Sequence, residues 1–168
     1  QGPQPTMRRI LGKTFALGLL AVVTACTGSS SSNVVTRAGN FEIALCSLGC
    51  QGGTCAVNQI ATNQDIVFTF NDAVDPATVS FTTISVVEVS NGSTPPGEFL
   101  VDGRKVIFRP ALIETGAGVQ FGFQEGAVYR VKVFASPESN VVRSVIGRPN
   151  LTPLPCPITT SAVINLSP

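Results

Sequence analysis

Four cysteines are the residues of this sequence best suited to chemistry. Cys46, Cys50 and Cys55 lie close together, and Cys156 lies far along the chain. In an exported chain, which meets an oxidising compartment, an even set of four cysteines favours two disulfides, and three pairings are open. Among these we predict Cys50 with Cys55 inside one loop, and Cys46 with Cys156, which would join the first strand to the last.

The alternative use of these cysteines is a zinc site. Zinc sites built from thiolates usually carry two pairs of cysteines with short internal spacing. Here one such group faces the single distant Cys156, and the chain contains no histidine. Disulfides are therefore the favoured interpretation.

The absence of histidine also excludes the commonest catalytic arrangements. Neither a Ser-His-Asp triad nor a Cys-His pair can form. Asp72 and Asp75 are close enough in sequence for paired-carboxylate chemistry, but Asp72 is typical of a turn and Asp75 of a helix cap. We therefore predict no catalytic residue, no enzyme activity and no cofactor.

Hard oxygen ligands nevertheless crowd this short segment, which contains Asn71, Asp72 and Asp75. Calcium takes about six to eight oxygen ligands, of which these side chains supply only some. The three residues are candidate calcium ligands, and their turn and cap roles are the alternative.

The N-terminal part of the chain has the order of an export signal. Residues 1–6 come before it and have no function that we can assign. Residues 7–13 are basic in character, and an apolar run follows over residues 14–23. This run has the length of a signal peptide and is too short to span a bilayer. The sequence therefore predicts a signal peptide over residues 7–25.

The apolar run closes with Val23-Thr24-Ala25-Cys26, which resembles the lipobox of bacterial lipoproteins. The resemblance implies that Cys26 is lipidated and becomes the new N-terminus, so that the membrane is a partner through the N-terminal lipid. Several acyl chains on one cysteine hold a protein far better than a single myristoyl group. The next residue is Thr27 and not Asp, which implies the outer membrane or the cell surface.

The rest of the chain is predicted to be a tether and one domain. Residues 26–39 carry the lipidated cysteine and a flexible Ser-rich stretch. Residues 40–168 are rich in Val, Thr, Ser, Gly and Pro, the composition of strands and turns. Three of the 11 basic residues lie in the leader and all 10 acidic residues lie beyond it, so the exported part is slightly acidic. Without a Lys/Arg cluster, we predict no nucleic-acid partner.

Local patterns predict several strands and turns of the domain. Ile66, Phe68 and Phe70 share one face of a strand, because alternate residues of a strand point the same way. Asp75-Pro76 is typical of a capped helical turn. Asp102-Gly103 indicates a two-residue hairpin turn.

The C-terminal part of the chain is predicted to contain two strands separated by a long loop. A further strand is expected over residues 141–146. Four prolines favour a loop over residues 147–157, and the closing strand is expected over residues 158–166.

Residues 111–126 stand out because they hold four glycines together with Phe121 and Phe123. The segment is long for a connection in one domain. One interpretation is a projecting loop in which the two phenylalanines contact a partner. The favoured alternative is a small extra hairpin, because apolar residues at alternating positions are usually buried.

Five segments together resemble the bacterial Ig-like domain of the surface-layer-protein type. They are Ile66–Phe70, 74–79, Lys105–Pro110, 126–131 and 159–161. The resemblance implies an all-β fold, namely an Ig-like antiparallel β-sandwich of about seven strands. Tyr129 follows the turn Glu125-Gly126, a placement similar to the tyrosine corner of immunoglobulin-like sandwiches, so its hydroxyl is expected to bond back to that turn.

These expectations lead to a lipid-anchored module of the bacterial cell envelope without enzyme activity. We expect a structural, adhesive or interaction role that meets a protein or polysaccharide of the envelope. The alternative is a periplasmic or surface domain that binds a ligand, carbohydrate or calcium, at residues 111–126 or at the acidic corner.

Overall fold

The computed structural model describes residues 39–51, 54–116 and 118–162. The predicted signal peptide, Cys26 and the predicted tether up to residue 38 lie outside the described residues, and so do residues 163–168. In the part of the chain that is described, no helix is long and apolar enough to cross a membrane.

Strands account for most of the regular structure. Within the described ranges the chain forms β1 (Ile43–Cys46), β2 (Cys50–Gln51), β3 (Thr54–Cys55), β4 (Gln59–Ala61), β5 (Ile66–Phe70), a 3-10 turn (Pro76–Thr78), β6 (Ile84–Glu88), β7 (Gly97–Asp102), β8 (Lys105–Pro110), β9 (Leu112–Thr115), β10 (Gly118–Phe121), β11 (Val128–Val133) and β12 (Leu154–Ser161).

Two four-stranded sheets form the body of the domain. The first has the order β1-β5-β8-β7 and is antiparallel throughout. The second has the order β4-β12-β11-β6, in which only the pairing of β4 with β12 is parallel. Two further hairpins, β2/β3 and β9/β10, belong to neither sheet. The predicted all-β sandwich is confirmed.

The core lies between the two sheets. Ile66, Phe68 and Phe70 of β5 are buried on one face, as their alternation predicts. Val131 and Val133 of β11 belong to the same buried cluster. Burial of such side chains stabilises the fold by about 1.5–3 kcal/mol each, because apolar surface leaves water.

The predicted corner after β5 is confirmed. The Asp75 side chain caps the 3-10 turn and accepts a hydrogen bond from the backbone N–H of Ala77 at 3.0 Å. Pro76 occupies the first turn, where its missing N–H leaves no bond unmade.

The hairpin of β7 and β8 is also confirmed, with its turn one residue later than predicted. Asp102 pairs with Lys105, so Gly103 and Arg104 form the turn. Gly103 has φ +57°, a conformation that glycine adopts without the strain of a Cβ.

The closing strand begins at Leu154, four residues before the predicted start. Successive N–H groups of β12 point to opposite neighbours. The N–H of Thr159 donates to the carbonyl of Asn58 before β4, whereas the N–H of Thr160 donates to the carbonyl of Ala127 before β11. Pro155 and Pro157 lie at the positions that alternate with Thr159, so their missing N–H groups do not interrupt the pairing with β11. The prediction of a loop up to residue 157 was wrong for this reason.

The expected strand over residues 141–146 is wrong as well. This segment makes two isolated bridges, Val74 with Ser144 and Arg143 with Pro149. Asn150, which follows it, is buried and donates hydrogen bonds from its amide group to the carbonyls of Phe134 and Thr152. These bonds hold an irregular segment in place where a sheet ladder is lacking.

Candidate functional site

The four cysteines meet at the start of the domain. A turn at the end of β1 is closed by a hydrogen bond from the N–H of Gly49 to the carbonyl of Cys46. Gly49 has φ +67°, which lets the chain reverse at once into β2. The turn brings the Cα atoms of Cys46 and Cys50 to 5.3 Å, inside the disulfide range of about 4.4–6.8 Å.

The structure pairs Cys46 with Cys50 and Cys55 with Cys156. The predicted pairing of Cys50 with Cys55 and Cys46 with Cys156 was therefore wrong. The physical reason is tertiary, because β3 lies against β12 and places the Cα atoms of Cys55 and Cys156 5.6 Å apart.

The two disulfides lie against each other. The Sγ atoms of Cys50 and Cys55 are 3.9 Å apart, because these residues face each other in the β2/β3 hairpin. The sulfurs of Cys46, Cys50 and Cys55 all lie within 4.8 Å of one another. As disulfides they are not thiolates, the form that zinc binds, so the zinc alternative would first require reduction.

The three candidate calcium ligands each accept a hydrogen bond from the backbone. The Oδ1 atoms of Asn71, Asp72 and Asp75 accept hydrogen bonds from backbone N–H groups at 3.1, 2.8 and 3.0 Å. The bonds of Asp72 and Asp75 match the turn and cap roles that were the alternative, whereas the bond of Asn71 comes from Glu42, 29 positions earlier in the chain. A calcium site here stays a prediction.

Tyr129 makes the contact of a tyrosine corner. Its hydroxyl accepts a hydrogen bond from the backbone N–H of Gln124 at 3.0 Å. Its ring packs edge to face against Phe123, with 4.9 Å between the centroids. Burial raises the pKa of Tyr129, the bond from Gln124 acts in the opposite direction, and the Glu88 carboxylate raises the pKa further.

Residues Leu112–Phe121, which we call the arm, form the hairpin β9/β10. In the described ranges its two strands pair only with each other. The arm starts where the N–H of Ala111 donates to the carbonyl of Pro96. At its other end Gly122 lies so close to Pro96 that a Cβ atom would be 1.8 Å from the Pro96 carbonyl oxygen. This contact requires glycine.

Of the two phenylalanines in this segment, only Phe121 reaches the surface. Phe123 is buried and contacts Phe108 as well as Tyr129. The interpretation of Phe123 as a partner contact is therefore corrected, because the chain turns into the core directly after the arm. Phe121 is half-buried at the base of the arm.

The arm carries one apolar face that was not predicted. Leu112 lies opposite Phe121, and Val119 lies two residues before Phe121 on β10, opposite Glu114, so these four side chains share a face and three of them are apolar. Leu112 and Val119 are each 59% exposed. The small extra hairpin favoured from the sequence is therefore present, but the exposure of its apolar side chains was not predicted.

Two open hollows flank Phe121. One has a volume of about 480 Å³ and is also lined by Thr62, Val119 and Gln124. The other has a volume of about 510 Å³ and is bordered by Leu112. Asp65 and Arg109 line the second hollow and form an ion pair at 3.3 Å. The hollows combine the rings of Phe121 and Phe123 with amide and charged groups.

Comparison with known proteins adds one finding. No curated protein matches this sequence. A family model described as a bacterial Ig-like domain matches residues 54–142, which span β3 to the start of the irregular segment after β11. Domains of this kind are generally non-catalytic, and the matched range includes both the tyrosine corner and the arm. The chain belongs to the bacterial Ig-like domain family.

Proposed function

We propose that this protein is a lipid-anchored module of the bacterial cell envelope that acts through its surface shape. It meets a protein or polysaccharide of the envelope as a structural or adhesive unit. Membership of the bacterial Ig-like domain family supports a surface or structural module of an extracellular or cell-envelope protein. The observation that carries the finer proposal is the arm, which presents exposed apolar side chains outside both sheets.

The anchoring part of the proposal rests on the leader. A basic start, an apolar run and the lipobox-like Val23-Thr24-Ala25-Cys26 occur in the order of a lipoprotein signal. Lipid on Cys26 would hold the protein at the membrane, and the Ser-rich tether would let the domain stand away from it. Thr27 supports the outer membrane or the cell surface.

The adhesive part rests on how the arm is built. Exposed apolar side chains that share one face favour contact with another surface, because that contact removes them from water. The base of the arm is fixed by the backbone contact of Gly122 with Pro96 and by the burial of Phe123. A rigid base reduces the ordering that binding requires.

Binding to envelope fractions tests this proposal. Leu112→Ser combined with Val119→Ser removes the two most exposed apolar side chains of this face and leaves Phe121. Binding of the purified protein to outer-membrane proteins and envelope polysaccharide should then fall at least about tenfold, the effect of about 1.4 kcal/mol. Val145→Ser combined with Ile146→Ser is the matched control, because these residues are 59% and 61% exposed but lie elsewhere. Equal loss in both variants, or binding of neither fraction by the wild type, would contradict the proposal.

A second candidate function is the binding of a small carbohydrate beside Phe121. The observation that favours it is the pair of hollows, whose volumes fall in the range of ligand sites of about 300–1,000 Å³. A panel of soluble glycans should then raise the melting temperature saturably, and Phe121→Ala should abolish the shift. The absence of any saturable shift would rule this candidate out.

A further inference from the structure

The contact between the two disulfides brings together atoms of both bonds. Cys50 belongs to the first disulfide and Cys55 to the second, and their sulfurs are 3.9 Å apart. The two residues are also direct partners in the β2/β3 hairpin. A sulfur of one bond therefore lies beside a sulfur of the other without any rearrangement of the backbone.

The two disulfides differ in their access to solvent. Cys46, Cys50 and Cys55 are half-buried, whereas Cys156 has no exposed surface and belongs to the core. A reductant in solution can therefore attack either sulfur of the Cys46–Cys50 bond but only the Cys55 sulfur of the second bond, because thiol exchange requires direct attack on a sulfur atom.

A backbone contact sets the direction of that attack. The N–H of Cys50 donates a hydrogen bond to the Sγ atom of Cys46 at 3.1 Å. A hydrogen bond to a sulfur favours its negatively charged form. Cys46 is therefore the better leaving group of this disulfide, and attack falls on Cys50.

We propose that the Cys46–Cys50 disulfide is a thiol-exchange site and that its reduction passes through Cys50 to the Cys55–Cys156 disulfide. A dithiol reductant supplies the two electrons. Its first thiolate attacks Cys50, the bond to Cys46 breaks, and Cys46 leaves as a thiolate. The second thiol of the reductant then displaces the Cys50 thiolate, and the reductant ends as its own disulfide.

The second step needs no further electrons. The Cys50 thiolate attacks the Sγ atom of Cys55, a Cys50–Cys55 bond forms, and Cys156 leaves as a thiolate. Cys156 takes up a proton, because a charge among apolar side chains is unfavourable. The product joins β2 to β3 and releases β3 from β12, so that the start of the domain loses its covalent link to the closing strand.

Limited reduction followed by thiol mapping tests this route. The full chain, with Cys26→Ser so that no fifth thiol takes part, is treated without oxygen with one equivalent of dithiothreitol. Free thiols are then blocked with N-ethylmaleimide and the peptides are mapped without further reduction. We expect label on Cys46 and Cys156, and an intact Cys50–Cys55 link. Label on Cys46 and Cys50 with Cys55–Cys156 intact would overturn the proposal.

A variant without the first disulfide supplies the control. In Cys46→Ser/Cys50→Ser the second disulfide remains but the attacking Cys50 is absent. Labelling of Cys156 under the same reductant should slow at least about tenfold relative to the parent chain. Labelling at the same rate would contradict the relay. If this variant does not fold, a time course of labelling in the parent chain replaces it: label on Cys46 should appear before label on Cys156, and the reverse order would contradict the relay.

Discussion

The hydroxyl of Tyr129 accepts a hydrogen bond from the backbone N–H of Gln124, with 3.0 Å between oxygen and nitrogen. This bond connects the start of β11 to the segment that follows the arm. Phe123, the residue between the arm and Gln124, packs on the ring of the same tyrosine. One side chain therefore fixes both the direction of β11 and the base of the arm.

Tyr129→Phe should remove this bond and keep the packing of the ring. We expect the free energy of unfolding to fall by about 1 kcal/mol, the usual net contribution of such a hydrogen bond. Chemical denaturation measures the loss, and amide exchange of Gln124 should become faster. An unchanged midpoint together with unchanged exchange would show that the hydroxyl has no structural role.

The raised pKa of Tyr129 predicts how the free energy of unfolding changes at high pH. Burial raises its pKa in the folded protein above the unfolded value of about 10, so the folded state holds the proton more tightly. The stabilising contribution is complete below about pH 10 and is lost as pH rises through the folded pKa. Because the chain has one tyrosine and no tryptophan, the ultraviolet absorbance of tyrosinate reports this group alone.

The titration should therefore give a midpoint above that of the denatured chain. In Tyr129→Phe the loss of stability that accompanies this titration should disappear. A midpoint equal to that of the denatured protein would contradict the role given to burial.

Gly122→Ala should destabilise the base of the arm. A Cβ atom there would lie 1.8 Å from the carbonyl oxygen of Pro96, so the backbone must move. We expect a loss of about 1–3 kcal/mol, the usual effect of overpacking. Gly116→Ala is the matched control, since its Cβ would meet nothing within 4 Å. Equal melting temperatures for the two variants would argue against a fixed base.

The local signals in the sequence were sufficient for the elements whose shape depends on neighbouring residues. Asp75-Pro76 and Gly103 act within a few residues, and both produce turns, although the hairpin turn lies one residue later than predicted. The alternation of Ile66, Phe68 and Phe70 likewise identifies the buried face of β5, because the pleat of a strand fixes which side chains share a face.

The cysteine pairing could not be predicted in the same way. Which cysteine meets Cys156 depends on the packing of β3 against β12, which no local pattern reports. Gly49 did carry a local signal, because a glycine that reverses the chain between Cys46 and Cys50 favours their pairing. The difference in burial between Phe121 and Phe123 also depends on tertiary packing. The two residues lie two positions apart in one alternating pattern, so the sequence does not distinguish them.

The two disulfides should differ in their effect on stability. Cys55 and Cys156 are separated by 101 positions, and Cys46 and Cys50 by 4. In the chain-entropy model, loops of these lengths contribute about 5 and about 2 kcal/mol. Replacing each pair by serine and unfolding both proteins in denaturant measures the contributions. A larger loss from the short loop would contradict the pairing described here.

The proposal of an envelope module requires that the protein is anchored by lipid on Cys26. Mass spectrometry of the N-terminal peptide of the protein recovered from bacterial membranes tests it most directly. We predict a peptide that begins at Cys26 and carries a diacylglyceryl thioether, and the protein should become soluble in Cys26→Ala. A mature protein that begins at another residue, or that carries an unmodified Cys26, would contradict the proposal.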